Sequence, residues 1–320
     1  MASFPAIGII RDAARRISPY VHRTPVFASR AINEICGAEV FFKAENMQKV
    51  GAFKARGAVN AVFSLDEGLA ACGVATHSSG NHAAALAYAA GCRRSKAYVV
   101  MPDNAPPVKK AAVAGYGAHI TFCESTQQAR ETALAALVEK TGAVFIHPYN
   151  DYRVIAGQAT AALELLEQVP ALDLVIAPVG GGGLLSGTAL TVAAINPEIK
   201  VFGAEPAGAD DAFRSLQAGR IIPVEKPDTI ADGLRTSLGD LTFAVIKEHV
   251  AKIITVSDER IIKAMRLIWE RMKIVVEPSA AVPLAALLNA EAKVKSLRVG
   301  LILSGGNVDL DNLPWLKGEN

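Results

Sequence analysis

The feature that most constrains the fold of this chain is an alternation of short β-branched runs with longer stretches of helical pattern. Several of the short runs are apolar almost throughout, which is typical of strands buried on both faces of a parallel sheet. Helix-length stretches such as 126–140 and 155–168 separate them, and Ser257 followed by two acidic residues favours a helix start. This pattern predicts an α/β architecture with parallel sheets. The predicted strands are Val40–Lys43, Val74–His77, Lys96–Met101, His119–Cys123, Ala143–His147, Leu172–Val179, Lys200–Glu205, Lys252–Val256 and Val299–Leu303.

The chain is long enough to form two lobes. It has 320 residues, of which 51% are hydrophobic, and single hydrophobic cores stop growing at roughly 250–300 residues. Its 33 basic and 31 acidic residues leave a formal net charge of +2. That balance gives no general attraction to nucleic acid or to anionic membranes, so neither is an expected partner.

The cysteines and the chain's N-terminal segment indicate a cytoplasmic protein. Cys36, Cys72, Cys92 and Cys123 form no C-x-x-C pair and no metal-like cluster, so free thiols in a reducing compartment are expected. The first twenty residues lack the apolar run of a signal peptide. The most apolar segments are too short to span a bilayer.

Four segments carry residues suited to chemistry, and the first surrounds Lys54. Most lysines are solvated surface charges, but this one follows Phe53 at the point where a loop is predicted to become a helix. Contact with apolar groups removes hydration from an ammonium group, lowers its pKa and frees the amine. A free amine is what a Schiff-base nucleophile needs.

The second segment, Thr76–His82, lies between a predicted strand and a predicted helix. A polar turn with a serine at the helix N-cap is one interpretation. Alternatively, its hydroxyl and backbone N–H groups converge on a carboxylate. The side-chain amide of Asn81 could also donate to an oxygen on a cofactor ring.

The third segment is the glycine run Gly180–Gly183, which directly follows an apolar predicted strand and precedes a helix opening at Leu184. Four consecutive glycines cost chain entropy and contribute no packing, so a merely structural turn explains them poorly. They let backbone N–H groups point to one place at a helix N-terminus, where the dipole favours an anion such as phosphate. The run matches neither a Walker loop nor a dinucleotide-binding G-x-G-x-x-G pattern. Phosphate binding is therefore predicted.

The fourth segment, Ser304–Asn307, also follows a predicted strand. A tight turn accounts for it as well, but the serine hydroxyl is suited to a neutral aromatic nitrogen. Together the four segments supply a lysine, a phosphate cradle, a carboxylate loop and a partner for a ring nitrogen. Few cofactors other than pyridoxal 5′-phosphate (PLP) need that set, so PLP is the predicted cofactor.

At these residues the chain resembles the fold-type II PLP enzymes, in the branch of serine/threonine dehydratases, serine racemases and 3-hydroxyaspartate dehydratases. The resemblance extends from His22–Pro25 to Ser304–Asn307, and the Ser-Ser-Gly-Asn-His form of residues 78–82 separates this branch from the cysteine synthases. It implies a tryptophan synthase β-like fold, with PLP between two open, twisted, mostly parallel-sheet lobes.

The same resemblance implies roles for individual residues. Lys54 would be bonded covalently to PLP, Asn81 would contact the ring hydroxyl, and Ser79 would lie on the ring face opposite Lys54. The implied cofactor-binding residues are Phe53, Lys54, Asn81, Gly180, Gly181, Gly182, Gly183, Leu184 and Ser304. The implied substrate-binding residues are Ser78, Ser79, Asn81, His82 and Arg130.

A fifth segment, Glu205–Asp211, resembles the divalent-cation loop of serine racemases and hydroxyaspartate dehydratases. The resemblance implies Glu205, Asp211 and the carbonyl oxygen of Ala209 as protein ligands, with waters completing the shell. Oxygen ligands with retained waters suit Mg²⁺, and Ca²⁺ or Mn²⁺ could substitute. A helix start with acidic residues near the helix dipole is the alternative interpretation.

Two further positions bear on the substrate. Arg130 falls where racemases and hydroxyaspartate dehydratases carry arginine, and a bidentate guanidinium could hold a second substrate carboxylate. A solvated helix arginine is the alternative. Tyr149, after His147 and Pro148, resembles the microbial dehydratases, whereas the animal racemases have asparagine there.

The predicted activity is PLP-dependent β-elimination from a small 3-hydroxy amino acid, giving a 2-oxo acid and ammonia. The implied cation loop and Arg130 favour 3-hydroxyaspartate, with oxaloacetate as product, over serine and threonine. Lys54 would take the α-proton as general base, and Ser79 leaves serine racemase open as an alternative. A catabolic serine/threonine dehydratase is a further alternative, and a non-catalytic PLP-binding protein a remote one.

The resemblance also implies how the chain is organised. Residues 1–72 and 151–320 would form a large PLP-binding domain, and residues 73–150 would form a small substrate-gating domain. A homodimer is the expected assembly.

Overall fold

The strands of the computed structural model, which describes residues 4–105, 107–289 and 292–316, form two separate sheets. They are β1 (Val26–Ala28), β2 (Glu39–Ala44), β3 (Val74–His77), β4 (Ala97–Pro102), β5 (His119–Cys123), β6 (Val144–Phe145), β7 (Leu174–Pro178), β8 (Lys200–Pro206), β9 (Lys252–Val256) and β10 (Arg298–Leu303). Each predicted strand is confirmed with small shifts at its ends. The short strand β1 was missed, because three residues carry too little pattern to be recognised.

The larger sheet has six strands in the order β1-β2-β10-β7-β8-β9, and the smaller has four in the order β5-β4-β3-β6. All neighbouring strands are parallel except β1 and β2, which pair antiparallel. Strands β7 and β10 are buried almost completely, as expected for strands covered on both faces. The predicted α/β architecture with mostly parallel sheets is therefore confirmed.

Helices occupy the connections between strands. They are α1 (Ile7–Ile17), α2 (Arg30–Cys36), α3 (Lys54–Phe63), α4 (Glu67–Cys72), α5 (Asn81–Cys92), α6 (Pro107–Gly115), α7 (Gln127–Thr141), α8 (Tyr152–Gln168), α9 (Gly183–Ile195), α10 (Asp211–Ala218), α11 (Asp240–His249), α12 (Asp258–Met272) and α13 (Pro278–Leu287). Every one of these helices is too short or too polar to cross a membrane.

The helix ends follow local chemistry. Helix α8 begins three residues before its predicted start, because the Asp151 side chain accepts the Arg153 N–H at 2.8 Å as an N-cap. Helix α12 begins after Ser257 as predicted, but the serine side chain makes no capping hydrogen bond. The Asp258 carboxylate instead accepts from the Thr229 hydroxyl at 2.5 Å and the Ile230 N–H at 2.8 Å, tying a loop to the helix.

The strand order brings distant segments to one edge of the larger sheet. Strands β10, β7 and β8 are adjacent and parallel, so their carboxyl ends lie side by side. Ser304 directly follows β10, Gly180 lies just beyond β7, and Glu205 lies at the end of β8. Open α/β sheets bind ligands outside the carboxyl ends of their strands. This edge is therefore where a functional site is expected.

Candidate active site

Lys54 is the first residue of α3, with Phe53 at the preceding N-cap position. Its Nζ donates to the carbonyl oxygen of Pro148 at 2.8 Å and lies 5.2 Å from the centroid of the Phe53 ring. Burial lowers the pKa of Lys54 to about 8, although the nearby Glu277 acts in the opposite direction. The predicted place of this lysine at a loop-to-helix junction is confirmed, as is the predicted lowering of its pKa.

A buried ion network holds the helix that carries Lys54. Arg56 is fully buried, and its guanidinium donates to Glu45 at 2.7 Å and to Glu164 at 2.8 Å. Lys43, also buried, donates to the same Glu164 at 2.6 Å. Because a buried charge without its partners is strongly unfavourable, this network fixes the first turn of α3 against β2 and α8.

Ser304 lies directly beside the Lys54 loop. The Phe53 N–H donates to the Ser304 carbonyl at 3.0 Å, and Ala52 forms a β-bridge with Gly305. The Ser304 hydroxyl is buried and has no hydrogen-bond partner among the described residues. Since buried hydroxyls are nearly always paired in native proteins, this oxygen points to a ligand. A neutral aromatic nitrogen suits it.

The glycine run forms a tight cradle at the start of α9. Gly182 has a φ of +89°, which glycine adopts at no steric cost. A Cβ at Gly180 would lie 2.8 Å from the Leu234 Cα, and one at Gly182 would lie 2.8 Å from Leu238 Cδ2. The first intrahelical bond runs from the Ser186 N–H to the Gly182 carbonyl at 2.8 Å. The N–H groups between them lack intrahelical acceptors, as phosphate binding requires.

Asn81 is held by two side chains from the larger-sheet part of the molecule. Its Nδ2 donates to both carboxylate oxygens of Glu277, at 3.0 and 3.1 Å. Asn307 Nδ2 donates to the Asn81 side-chain oxygen at 2.9 Å and to the Val50 carbonyl at 2.7 Å. Asn81 carries two amide hydrogens, so one can stay on Glu277 while the other meets a ring oxygen.

Three histidines near the site, His77, His82 and His147, have lowered pKa values. Burial, His77 and Lys54 together lower the pKa of His147 to about 4. Burial also lowers the pKa of His77, and it lowers that of His82 well below the usual range, with Lys54 contributing. His147 Nδ1 accepts the Asn150 N–H at 2.9 Å, which leaves the ring proton on Nε2. Burial and the Lys54 charge thus both disfavour the protonated forms of His82 and His147.

The predicted carboxylate-binding turn follows β3. Ser78, Ser79 and Asn81 are all half-buried, and the Ser78 hydroxyl accepts the Gly80 N–H at 3.3 Å. The side chain of His82 is buried, with Nε2 3.3 Å from the Ile146 carbonyl and Nδ1 unpaired among the described residues. The hydroxyls and N–H groups of this turn lie at the N-terminus of α5, where an anion is favoured.

Arg130 lies in the first turn of α7. It is half-buried, its Nε donates to the Thr126 carbonyl at 3.3 Å, and its charge contributes to lowering the pKa of His77. His77 is the last residue of β3 and immediately precedes Ser78. The charge of Arg130 is therefore felt at the residue that immediately precedes the turn.

Glu205 and Asp211 form a pair of buried carboxylates near the end of β8. The Glu205 oxygens accept the N–H groups of Ala212 at 2.9 Å and Phe213 at 2.8 Å. Asp211 Oδ2 accepts the Leu238 N–H at 3.1 Å, whereas Oδ1 is buried without a partner among the described residues. Burial raises the pKa of Asp211 to about 7, and burial and the Asp211 charge raise that of Glu205 well above its usual value.

This carboxylate pair fits a cation that takes oxygen ligands. The described residues contain no cluster of three or more His, Cys, Asp or Glu side chains suited to a metal. Two carboxylates, the carbonyl of the buried Ala209 and water would supply oxygens only, which hard cations such as Mg²⁺ accept. Gly208 is explained by packing, since a Cβ there would collide with the carbonyl of Asp228.

Sequence reasoning missed several residues that shape this site, among them Glu277. Burial, with a contribution from Asp232, raises the pKa of Glu277 to about 7, and its backbone N–H donates to the Gly305 carbonyl at 3.0 Å. The only local signal was an acidic residue before a proline, which also marks an ordinary helix start. The Pro148 carbonyl and Arg56 left no recognisable pattern at all.

Comparisons with known proteins agree with this geometry. Residues 17–305 match the family model described as pyridoxal-phosphate dependent enzyme. The chain is 55% identical to the beta-hydroxyaspartate dehydratase of Paracoccus denitrificans, covering 95% of this chain and 96% of that protein. It is 54% identical to the serine racemase of Dictyostelium discoideum, with 95% of each chain covered.

The similarity extends to solved structures. The structure of maize serine racemase superposes with a TM-score of 0.96 at 49% identity, covering 98% of this chain and 97% of the other. The buried Ser304 hydroxyl, the glycine cradle and the Lys54 amine are the groups that such a cofactor needs. This chain belongs to the family of pyridoxal-phosphate-dependent enzymes.

Proposed function

We propose that this protein catalyses β-elimination from a 3-hydroxy amino acid, with 3-hydroxyaspartate as the preferred substrate and oxaloacetate and ammonia as products. The observation that carries this preference is the place of Arg130, whose charge acts on His77 at the edge of the carboxylate-binding turn. A substrate with two carboxylates can use the turn for one and the guanidinium for the other. The dehydratase relative at 55% identity supports the same substrate class.

In this proposal, individual residues would bind the cofactor or act as the general base. Gly180–Gly183 and Leu184 would hold the cofactor phosphate, Ser304 the ring nitrogen, Asn81 the ring oxygen, and Phe53 would pack beside the ring. Bound PLP supplies the electron sink for the carbanion chemistry. The Lys54 amine, once free, would take the α-proton as general base.

The remaining substrate-binding residues would orient the substrate in this proposal. The turn of Ser78, Ser79, Asn81 and His82 would receive the α-carboxylate. A neutral hydroxyl at Ser304 cannot hold a full positive charge on the ring nitrogen as a carboxylate would, which favours prompt loss of the β-hydroxyl over a long-lived carbanion.

The proposal extends to the cation, the assembly and the domains. Glu205, Asp211 and the Ala209 carbonyl would bind Mg²⁺, with Ca²⁺ or Mn²⁺ as substitutes. Residues 73–150, which contain every strand of the smaller sheet, would act as the substrate-gating domain. A homodimer in the cytoplasm is part of the proposal, from the family resemblance.

The direct test is release of 2-oxo acid from serine, threonine and the four 3-hydroxyaspartate isomers, with Mg²⁺ and with EDTA. We expect one hydroxyaspartate isomer to give the highest kcat/KM and EDTA to reduce it. Higher kcat/KM on threonine or serine than on every hydroxyaspartate isomer would overturn the proposed substrate.

Replacement of Arg130 should lower kcat/KM for substrates that have a second carboxylate more than for substrates that lack one. We expect Arg130→Ala to lower kcat/KM for 3-hydroxyaspartate by about 100-fold, because it removes a bidentate charged contact of roughly 3 kcal/mol, while threonine turnover changes little. Arg130→Lys is the matched variant, since it keeps the charge but not the paired N–H groups, and should fall between. Equal losses on both substrates would remove the argument from Arg130.

The lowered pKa of Lys54 predicts how cofactor uptake depends on pH. With a pKa of about 8, about a tenth of the Lys54 amines are unprotonated at pH 7, against roughly three in ten thousand for an ordinary lysine. The bonding rate of PLP to apo-protein should rise about tenfold per pH unit below 8 and level off above it. Stopped-flow absorbance measures the rate, with Nα-acetyl-lysine as reference. A midpoint near 10 would contradict a buried amine.

Racemisation of serine is the second candidate function. It needs only reprotonation on the face opposite Lys54, and the half-buried Ser79 hydroxyl is the candidate acid for that step. Among the relatives, the Dictyostelium serine racemase at 54% identity favours it. Formation of D-serine faster than pyruvate from L-serine would establish it as the main activity on that substrate.

A further inference from the structure

The turn formed by residues 147–150 connects β6 of the smaller sheet to helix α8. It presents the Pro148 carbonyl oxygen to Lys54, whose Nζ donates to that oxygen at 2.8 Å. A carbonyl oxygen accepts a hydrogen bond from an ammonium as well as from an amine. Pro148 can therefore hold the Lys54 side chain in either protonation state.

His147 holds this turn from within. Its Nδ1 accepts the Tyr149 N–H at 3.3 Å and the Asn150 N–H at 2.9 Å. The Tyr149 N–H and the Pro148 carbonyl belong to the same peptide unit, which is planar, and in a trans unit they point in opposite directions. Fixing the N–H on His147 therefore directs the carbonyl oxygen to the other side, where Lys54 lies.

Two further contacts hold the parts of the turn beyond this peptide unit. The His147 ring meets the Tyr149 ring edge to face, with centroids 4.6 Å apart and an interplanar angle of 85°. The Asn150 side chain donates to Asp240 at 2.6 Å and accepts the Leu241 N–H at 3.0 Å, which fastens the turn to the start of α11. With its far end fixed, the turn has its central peptide unit oriented by the bonds to His147.

The charges around the turn keep the His147 nitrogen an acceptor. Burial and the charges of His77 and Lys54 lower the pKa of His147 to about 4, so the ring is neutral at pH 7 and Nδ1 keeps its lone pair. The other titratable groups that act on Lys54 or His147, or on which Lys54 acts, are Glu277, His82, Asp151 and Asp240.

We infer that His147 is a positioning residue for Lys54: through the peptide unit between Pro148 and Tyr149, it aims a carbonyl acceptor at the lysine amine whenever that amine is not bonded to the cofactor. The inference rests on the proposed role of Lys54 and is independent of which hydroxy amino acid is the substrate. After Lys54 takes the α-proton, the carbonyl stabilises the resulting ammonium and keeps the nitrogen beside the reacting atoms.

The test compares two uncharged amides that reproduce different nitrogens of the His147 ring. In His147→Asn the side-chain oxygen lies near the position of Nδ1 and can accept the N–H two residues on, as in an Asx turn. In His147→Gln the amide lies near the position of Nε2, so the Tyr149 N–H loses its acceptor. His147→Leu removes the acceptor with a side chain of similar size. His119→Gln, on the exposed strand β5, is the matched control.

The first measurement is the rate at which acetic anhydride acetylates Lys54 in the apo-protein as a function of pH, followed by peptide mass spectrometry. In the wild type the midpoint should lie near pH 8. We expect His147→Gln and His147→Leu to lower it by about one pH unit, because the buried ammonium loses a charge-assisted hydrogen bond. His147→Asn and the His119→Gln control should keep the wild-type midpoint.

The second measurement is turnover of the PLP-loaded protein. His147→Gln should lower kcat about tenfold, since small misplacements of a reacting group are costly. KM should change by less than about twofold, because the groups that would bind the substrate carboxylates are unaltered. His147→Asn should restore kcat to within about twofold of the wild type.

The outcomes separate this inference from the proposed function. If the acetylation midpoint of His147→Gln stays near 8 or rises, or if His147→Asn falls with it, the carbonyl is not held on Lys54 through His147 and the inference is wrong. Circular dichroism checks folding, and His147→Gln decides if His147→Leu does not fold. If borohydride places no cofactor on Lys54 of the wild type, the proposed function fails instead, whereas the acetylation midpoints still test the turn.

Discussion

Replacement of Lys54 by alanine is expected to abolish turnover, lowering kcat by at least about 10³-fold on every hydroxy amino acid. The variant loses the amine that bonds to the cofactor and, in the proposed mechanism, the base that removes the α-proton, and each contribution is large. The fold should survive, because the Lys54 ammonium is desolvated in the folded protein and its removal relieves that penalty. Activity and circular dichroism measure the two effects.

The covalent assignment has its own measurement and control. Borohydride reduction of the PLP-loaded wild type, followed by peptide mass spectrometry, should place the cofactor on Lys54, and Lys54→Ala should carry none. Lys49→Ala changes another lysine of the same loop and should leave both the label and the activity near wild type. A label on any other lysine would refute the assignment.

Removal of the cation is expected to have the second largest effect. At a free concentration of about 100 times its Kd, a bound cation stabilises the native state by about 2.7 kcal/mol, which corresponds to roughly 5 °C in Tm. EDTA should therefore lower the Tm of the wild type by about that amount. Circular dichroism or scanning calorimetry would measure it.

Asp211→Asn tests whether this stabilisation comes from the carboxylate pair. The amide can still accept the Leu238 N–H and can donate to Glu205, so it removes the repulsion that the cation would otherwise neutralise. We expect the variant to be insensitive to Mg²⁺ and, in EDTA, more stable than the wild type. Asp210→Asn changes the half-exposed neighbour that pairs with Arg214 and should keep the full Mg²⁺ effect. If Mg²⁺ raised the Tm of Asp211→Asn as much as that of the wild type, the cation would bind at a site other than the carboxylate pair.

Much of the fold was predictable because its signals are local. The apolar run before Gly180 could only be a buried strand or a helix segment, and its shortness together with the glycines that follow favoured the strand. The same holds for β3, β5 and β9, whose observed bounds equal the predicted ones. Local periodicity depends on neighbouring residues alone, so a single sequence contains it.

The candidate site was predictable to the extent that each segment carries its own chemistry. Lys54 at a helix start, four glycines before a helix and a serine after a strand are each recognisable alone. The partners of these groups are not: Glu277 and Asn307 lie far from Asn81 in the chain, and only the tertiary structure brings them within hydrogen-bond distance. Arg56 carries no sequence pattern that marks it as buried, although tertiary packing buries it completely.

The sequence by itself determined the types of the elements, the α/β class and the residues suited to catalysis or ligand binding. These follow from short-range pattern and side-chain chemistry. Only the tertiary structure decided that β10 lies between β2 and β7, which places Ser304 beside the glycine cradle. It also decided that Leu238 contacts both Gly182 of the cradle and Asp211. Strand order and side-chain packing depend on contacts between residues far apart in the chain, and no local pattern encodes them.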